Sequence, residues 1–296
     1  MLQFHIMIRL GFSPCPNDTF IFYALAHRKT DARGLSFHLI IEDVETLNRL
    51  ALRREAEVLK VSCHAYSSLR DDYVFLRSGG AMGRGCGPLL VAKSPGRPGD
   101  LRGGRIGIPG RLTTAFLLLQ LFLSSADEDH RQGDMPYTFV EMPFHRIMGA
   151  VREGKLDAGL IIHESRFTYP AYGLVEIADL GVWWEQETGL PLPLGGIIAK
   201  KSLGPSVLQT LEELIRDSIA YSRAHEDEAM HYIKHHAQEL SEEVIRNHIA
   251  LYVNEYTLDS GDEGRAALEE LMKRRETAPL SPVPHILPES TIPFRG

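Results

Sequence analysis

The stretch Lys93–Gly104, KSPGRPGDLRGG, constrains this chain more than any other, because its glycines, prolines and charges suit neither a helix interior nor a strand interior. It divides two series in which strand-like and helix-like patterns alternate, and such alternation predicts open α/β sheets. In the first series His5–Gly11 reads as a strand, Ser13–Asp18 (SPCPND) as a turn and Thr19–His27 as a helix. Leu35–Ile41, Val58–Ser62, Tyr73–Arg77 and Leu89–Ala92 follow as strands, with a helix at Val44–Arg54 and a glycine-rich turn at Gly79–Gly87. In the second series Arg105–Ile108, Thr138–Glu141 and Asp157–Ile162 read as strands, and Thr113–Leu123 and Phe144–Arg152 as helices. Gly195–Ala199 returns as a strand. Beyond Pro205 the chain turns helical, with Leu208, Leu211, Leu214, Ile215 and Ile219 at helical spacing. Further helices are expected around Glu226–His236, Glu242–Tyr252 and Glu263–Arg275, and the proline-rich stretch Ala278–Gly296 as an extended tail.

Two β-α series with a return predict two lobes. A smaller lobe, residues 94–198, is inserted into a larger discontinuous lobe made of 1–93 and 199–296. The crossings at Leu90–Lys93 and Ala199–Lys201 would act as a hinge. Open α/β sheets bind ligands beyond the carboxyl ends of their strands, so two such sheets facing each other predict a ligand cleft between the lobes.

Charge and cysteine usage narrow the class. The chain has 296 residues, with 32 Lys and Arg against 39 Asp and Glu, a net charge of −7. Without a basic block, that balance speaks against nucleic acid as a partner. Apolar runs such as Ala115–Leu119 fall far short of the about 20 residues a membrane span needs, so no membrane partner is expected. Met1–Arg9 lacks the pattern of an export signal and reads as the first strand. Cys15, Cys63 and Cys86 stand far apart with no CxxC, which points to a reducing, cytoplasmic compartment and away from a structural zinc. His231 and His235 have the i, i+4 spacing of metal ligands but no evident third ligand, so a solvated helix face is expected there.

Five segments supply candidate chemistry. Ser13–Asp18 and Pro109–Thr114 each deliver a helix start beyond a strand end, where unpaired N–H groups attract a carboxylate or phosphate. Asn17 and Asp18 add polar groups at one, and Thr113 and Thr114 hydroxyls at the other, although plain N-capping uses the same residue types. Lys60-Val61-Ser62 closes another strand with a cation and a hydroxyl, suited to an anionic substrate or simply to a solvated strand end. Asp157–Arg166 (DAGLIIHESR) is the most informative: its apolar strand runs into His163, where a cleft-facing imidazole would suit proton abstraction at neutral pH. A hydrogen-bonded structural histidine is the alternative, and His145 a weaker competitor. Trp183 and Trp184 either stack on an aromatic ligand or fill the core. The glycine-rich Gly79–Gly87 lacks both the P-loop ending and the GxGxxG spacing, and no Gly-x-Ser-x-Gly elbow supports acyl transfer.

The segments SPCPNDTFIFYAL (Ser13–Leu25), EDVETLN (Glu42–Asn48), RSGGAMGRGCGPL (Arg77–Leu89), PGRLTTA (Pro109–Ala115), GLIIHESRFTYPAYGL (Gly159–Leu174) and DLGVWWEQETGLPLPLG (Asp179–Gly195) closely resemble the 1,4-dihydroxy-6-naphthoate synthase family of the futalosine route to menaquinone. The resemblance implies a two-lobed, periplasmic-binding-protein-like fold of type II. It also implies a lyase that releases dihydroxynaphthoate and a three-carbon fragment from cyclic dehypoxanthinyl futalosine. It implies His163 as proton acceptor, Lys60, Val61 and Ser62 as one substrate-contacting segment, and Arg111, Thr113 and Thr114 as another. No metal or organic cofactor is implied. The partner is a small aromatic carboxylate, and a second copy of the chain in a homodimer is the one protein partner considered. Cys63-His64 departs from the family's pattern, which has an aromatic and a small residue there. Rival readings are the sibling enzyme chorismate dehydratase, a solute-binding receptor or other non-catalytic carboxylate binder, and the effector lobe of a transcription regulator. The IIHES and TYPAYGL segments favour the synthase.

Overall fold

The structure, a computed structural model, describes residues 6–125, 136–237 and 241–278; the tail expected beyond Ala278 and the first residue of the expected initial strand, His5, lie outside them. Eleven strands follow in chain order among the described residues: β1 (Ile6–Phe12), β2 (Leu35–Ile41), β3 (Val58–Ser62), β4 (Tyr73–Phe75), β5 (Ala81–Gly83), β6 (Leu89–Ala92), β7 (Arg105–Ile108), β8 (Thr138–Glu141), β9 (Ala158–Ile161), β10 (Val175–Asp179) and β11 (Leu192–Lys200). They form two mixed sheets. The first has the order β2-β1-β3-β11-β4 with β5 also on β11; the second has the order β10-β6-β9-β7-β8.

In the first sheet β1 runs parallel to β2 and β3, and β11 enters antiparallel beside β3. In the second, β7 is parallel to β8 and β9, while β6 is antiparallel to β9 and β10. Leu89–Ala92, read above as closing the first lobe, therefore pairs wholly within the second sheet. The main chain changes sheets before Leu89 and again between Asp179 and Leu192. Backbones touch at that passage. A Cβ on Gly87 would lie 2.2 Å from the Gly181 nitrogen, so no side chain fits there.

Every residue of β3, VLKVS, is buried. A strand covered on both faces must be apolar throughout or must pair its polar side chains, and Lys60 at its centre is the exception that needs a partner. The face of the first sheet carrying Ile8, Leu10 and Phe12 packs on helices Pro16–Ala26, Pro205–Ala224, Glu226–His236 and Glu242–Tyr252 through Phe22, Leu214, Ile219, Ile233 and Ile245. The helix Thr114–Ser125 is apolar nearly all round because it is covered on more than one side. Leu117, Leu118 and Leu119 share a core with Ile106 and Leu160 of the second sheet and with Cys63, Leu192 and Leu271 beyond it. Burying each such leucine contributes about 1.5–3 kcal/mol, so this helix ties the two sheets' cores together.

The helix expected at Thr19–His27 begins at Pro16, a residue whose fixed φ and missing N–H suit a first helical turn. Asp43 caps Val44–Leu52 by accepting from the N–H groups of Glu45 and Thr46, at 3.0 and 3.1 Å.

Candidate active site

The carboxyl ends of β1, β3, β7 and β9 converge on one cleft that is open to solvent. Asn17, Asp18, Lys60, Val61, Ser62, Thr113, Thr114 and His163, expected from the sequence, all line it, together with Ser13, Tyr252 and the apolar Val44, Pro88, Ala115, Ile162 and Leu194. A few polar groups set among apolar walls suit a small organic ligand. Arg111 is placed elsewhere. Its guanidinium lies 3.9 Å from Glu141 and 5.8 Å from the Phe116 ring, and it does not line the cleft.

At the centre Lys60 Nζ donates to Asp18 Oδ1 at 2.7 Å and to the Gly79 carbonyl at 3.0 Å. Gly79 holds φ at +82°, a conformation that favours glycine, which turns this carbonyl toward the ammonium. Asp18 is saturated: Ser13 Oγ and N donate to its Oδ2, and Asn17 Nδ2 donates to Oδ1. A lysine has three N–H donors, so one remains for a ligand anion. Ser62 Oγ accepts from Asn48 Nδ2 at 3.1 Å, and its own O–H is left to donate.

The two threonines behave differently from a pair of free hydroxyls. Thr113 Oγ1 donates to Gly110 O and accepts from Phe116 N; Thr114 Oγ1 donates to Leu194 O and accepts from His64 N. What this helix start offers a ligand is the first-turn N–H groups of Thr114 and Ala115, which have no intrahelical acceptor. His64 Nδ1 lies 3.3 Å from the Thr113 carbonyl, and burial lowers its pKa to about 4, so it is a neutral donor that holds the GRLTT loop.

His163 stands just past the end of β9 with φ at +56°, a left-handed backbone unusual for a side chain of this size. Strain of this kind persists where surrounding structure over-determines it, and it concentrates at functional sites. Enclosure by the cleft lowers the His163 pKa to about 4; Asp18 pulls it upward and Lys60 downward. The imidazole is therefore a free base at neutral pH. Arg166 braces the loop that follows, donating to Gly87 O at 2.7 Å and to Asp179 Oδ2 at 2.5 Å.

Three residues outside the expected set also bear on the cleft. Glu45 accepts from Leu112 N at 3.2 Å, joining the helix after β2 to the loop after β7. Burial, with Glu141 nearby, raises its carboxyl to about 7 against the lowering pull of Arg49. Asn48 fixes Ser62 through two hydrogen bonds. His248, from Glu242–Tyr252, sits with its Nε2 2.9 Å from Asn17 Oδ1. Glu45 and Asn48 fall within EDVETLN, a segment quoted for the resemblance but given no role, whereas His248 had no local signal and is brought in by tertiary packing. Trp184 is fully buried with Nε1 on the Pro191 carbonyl, and Trp183 meets Phe122 edge-on, so both fill the core. His145 is exposed on its helix. Among the described residues no cluster of His, Cys, Asp and Glu is arranged to hold a metal, and no helix is long and apolar enough to cross a membrane.

With this geometry in view, comparison with known proteins is specific. Residues 8–277 match the family pattern described as menaquinone biosynthesis. A Thermus thermophilus protein named 1,4-dihydroxy-6-naphthoate synthase is 51% identical over 274 residues, covering 93% of this chain and 96% of the relative. One of the same name from Streptomyces coelicolor is 43% identical over 275 residues, covering 93% and 95%. Among solved structures, protein AF1704 from Archaeoglobus fulgidus superposes with a TM-score of 0.83 at 41% identity, covering 91% of this chain and 97% of that one. The Candida albicans CA3427 product, described as having the generic periplasmic binding protein fold, superposes with a TM-score of 0.67 at 14% identity, covering 93% and 92%. The two mixed sheets and the cleft are thus a periplasmic-binding-protein-like fold.

Proposed function

The chain belongs to the menaquinone biosynthesis family, and from that premise we propose that it catalyses the 1,4-dihydroxy-6-naphthoate synthase reaction as a carbon–carbon lyase. The substrate is cyclic dehypoxanthinyl futalosine, and a three-carbon fragment leaves as the naphthoate forms. The observation that carries the reading is the neutral His163 imidazole, held on a left-handed backbone at the same cleft as the Lys60–Asp18 pair and Ser62.

The third N–H of Lys60, the Ser62 hydroxyl and the Thr114 and Ala115 N–H groups anchor the substrate carboxylate and hydroxyls. The apolar walls at Val44, Pro88, Ile162 and Leu194 take its rings. His163 removes an acidic proton, and the released electron pair drives scission of the carbon–carbon bond as the second ring becomes aromatic. The imidazolium returns the proton before the next turnover. A base with a pKa of about 4 is weak. Asp18, and the carboxylate the substrate brings in, both stabilise the imidazolium and lift its basicity during the step. Electrons stay within the substrate, so the step as written calls for no redox partner.

The lobe boundaries expected at residues 94 and 198 move, because β6 pairs in the second sheet and β11 in the first; we assign the two lobes to the two sheets, the main chain passing between them before Leu89 and again between Asp179 and Leu192. Closure around the substrate excludes water and aligns it with His163. We place the reaction in the cytoplasm, a reading supported by Cys15, Cys63 and Cys86, all buried and unpaired.

The test is turnover of cyclic dehypoxanthinyl futalosine by purified protein without added cofactor, following naphthoate by chromatography and mass. Substrate binding without product would sink the lyase reading and leave a binding protein.

A further inference from the structure

We propose that His248 is a positioning residue for His163, setting the orientation of the reactive imidazole through ring contact rather than through a hydrogen bond; this rests on the base assignment above.

Among the described residues no hydrogen bond reaches either ring nitrogen of His163. A histidine base is ordinarily oriented by a third group on its second nitrogen. Here the ring is set between two others: Phe144 meets it edge-on at 5.2 Å, and His248 stacks on it at 6.1 Å with 28° between the planes. Tyr252 backs His248 at 4.6 Å, so the four rings form a row. Its two ends come from different lobes, Phe144 from the segment after β8 and Tyr252 from the C-terminal helices.

His248 is itself locked. Asn17 Nδ2 donates to the Asp18 carboxylate, which can only accept, so Asn17 presents its Oδ1 to His248 and His248 must donate from Nε2. That tautomer leaves Nδ1 as a bare acceptor, and it is buried with no partner among the described residues. An unpaired buried acceptor destabilises the fold, and a leucine or phenylalanine there would avoid that cost. The fold accepts this cost at the residue that faces His163, and locks it through Asn17 to the Asp18–Lys60 pair. The charged and titratable groups facing these two rings are Asp18 from the first helix, Lys60 from β3 and Tyr252 from the C-terminal helix.

The test compares His248→Leu with His248→Phe, each checked for folding by circular dichroism, in turnover and in a histidine-¹⁵N titration of His163 assigned with His163→Gln. His248→Leu removes the flat ring and frees the His163 imidazole to turn toward the solvent of the cleft. Its kcat is expected to fall tenfold or more with KM within about twofold, and the His163 titration to move upward in pH. His248→Phe restores a flat ring and is expected to recover kcat to within about threefold of wild type. A folded His248→Leu protein with unchanged kcat and unchanged titration overturns the proposal. So does an equal loss in both variants, or a loss carried by KM. The titration needs no turnover. If wild-type protein makes no product, the lyase reading fails while the NMR comparison still decides whether His248 sets His163.

Discussion

Lys60 Nζ lies 2.7 Å from Asp18 Oδ1 with each side chain at most 5% exposed, and this pair joins the central strand of the first sheet to the first turn of the first helix. A buried ion pair need not add net stability, but removing one partner leaves a charge with neither water nor counter-charge. Lys60→Met is therefore expected to destabilise the protein by about 3–5 kcal/mol. Lys60→Met with Asp18→Asn should recover a substantial part of that loss. Urea denaturation of the two single variants and the double variant measures it; additive losses would show that the pair is not coupled.

His163→Gln retains size and polarity but has no basic nitrogen. If His163 is the base, kcat falls by about 10²–10⁴ while KM changes little, since the anchoring groups are untouched. Steady-state kinetics with a matched melting temperature checks this, and near-normal turnover would remove His163 from the mechanism.

Glu45 carries a pH-dependent contact between the lobes. Its pKa is raised from 4.5 to about 7 in the folded protein, so folding favours the protonated acid. The associated stability is fully present below about 4.5 and is lost as pH rises to about 7. Above that, Glu45 and Glu141 repel, and Arg49, 2.5 Å from Glu141, offsets part of that repulsion. Glu45→Gln should flatten stability over this window and melt higher than wild type at pH 8. Equal melting curves for both proteins from pH 5 to 8 would contradict it.

Histidines set the opposite slope. His64 and His163 are lowered from 6.5 to about 4, so folding favours their neutral forms. The stability they contribute is present above about 6.5 and is lost as pH falls toward 4. Measured in a Glu45→Gln background, His64→Gln should reduce the loss of stability on acidification from pH 6.5 to 4. It should also keep a donor for the Thr113 carbonyl. An unchanged acid slope would mean that His64 is not buried neutral.

Much of the fold was legible because periodicity and turn chemistry are local. The strands Leu35–Ile41, Val58–Ser62, Leu89–Ala92 and Arg105–Ile108 have the bounds read from their apolar runs, and Phe144–Arg152 and Glu242–Tyr252 the bounds read from helical spacing. Helix starts were less legible: Pro16 opens its helix three residues before Thr19, because proline signals a turn and a first helical turn equally well.

The sequence by itself determined which chemical groups stand at the strand ends, since β-α alternation delivers Asp18, Ser62, Thr114 and His163 to the carboxyl side of their sheets, with Lys60 two residues back on the strand that ends at Ser62. Only the tertiary structure decided what those groups are free to do. Lys60 is held by Asp18 and Gly79, both threonine hydroxyls are consumed within the fold, Arg111 turns to Glu141, and Glu45 and His248 arrive from helices whose contacts with the site only packing creates. The reason is physical: a residue's position along a strand or helix follows from local periodicity, whereas its hydrogen bonds, ring contacts and protonation depend on neighbours up to 231 positions away that only chain packing brings within reach.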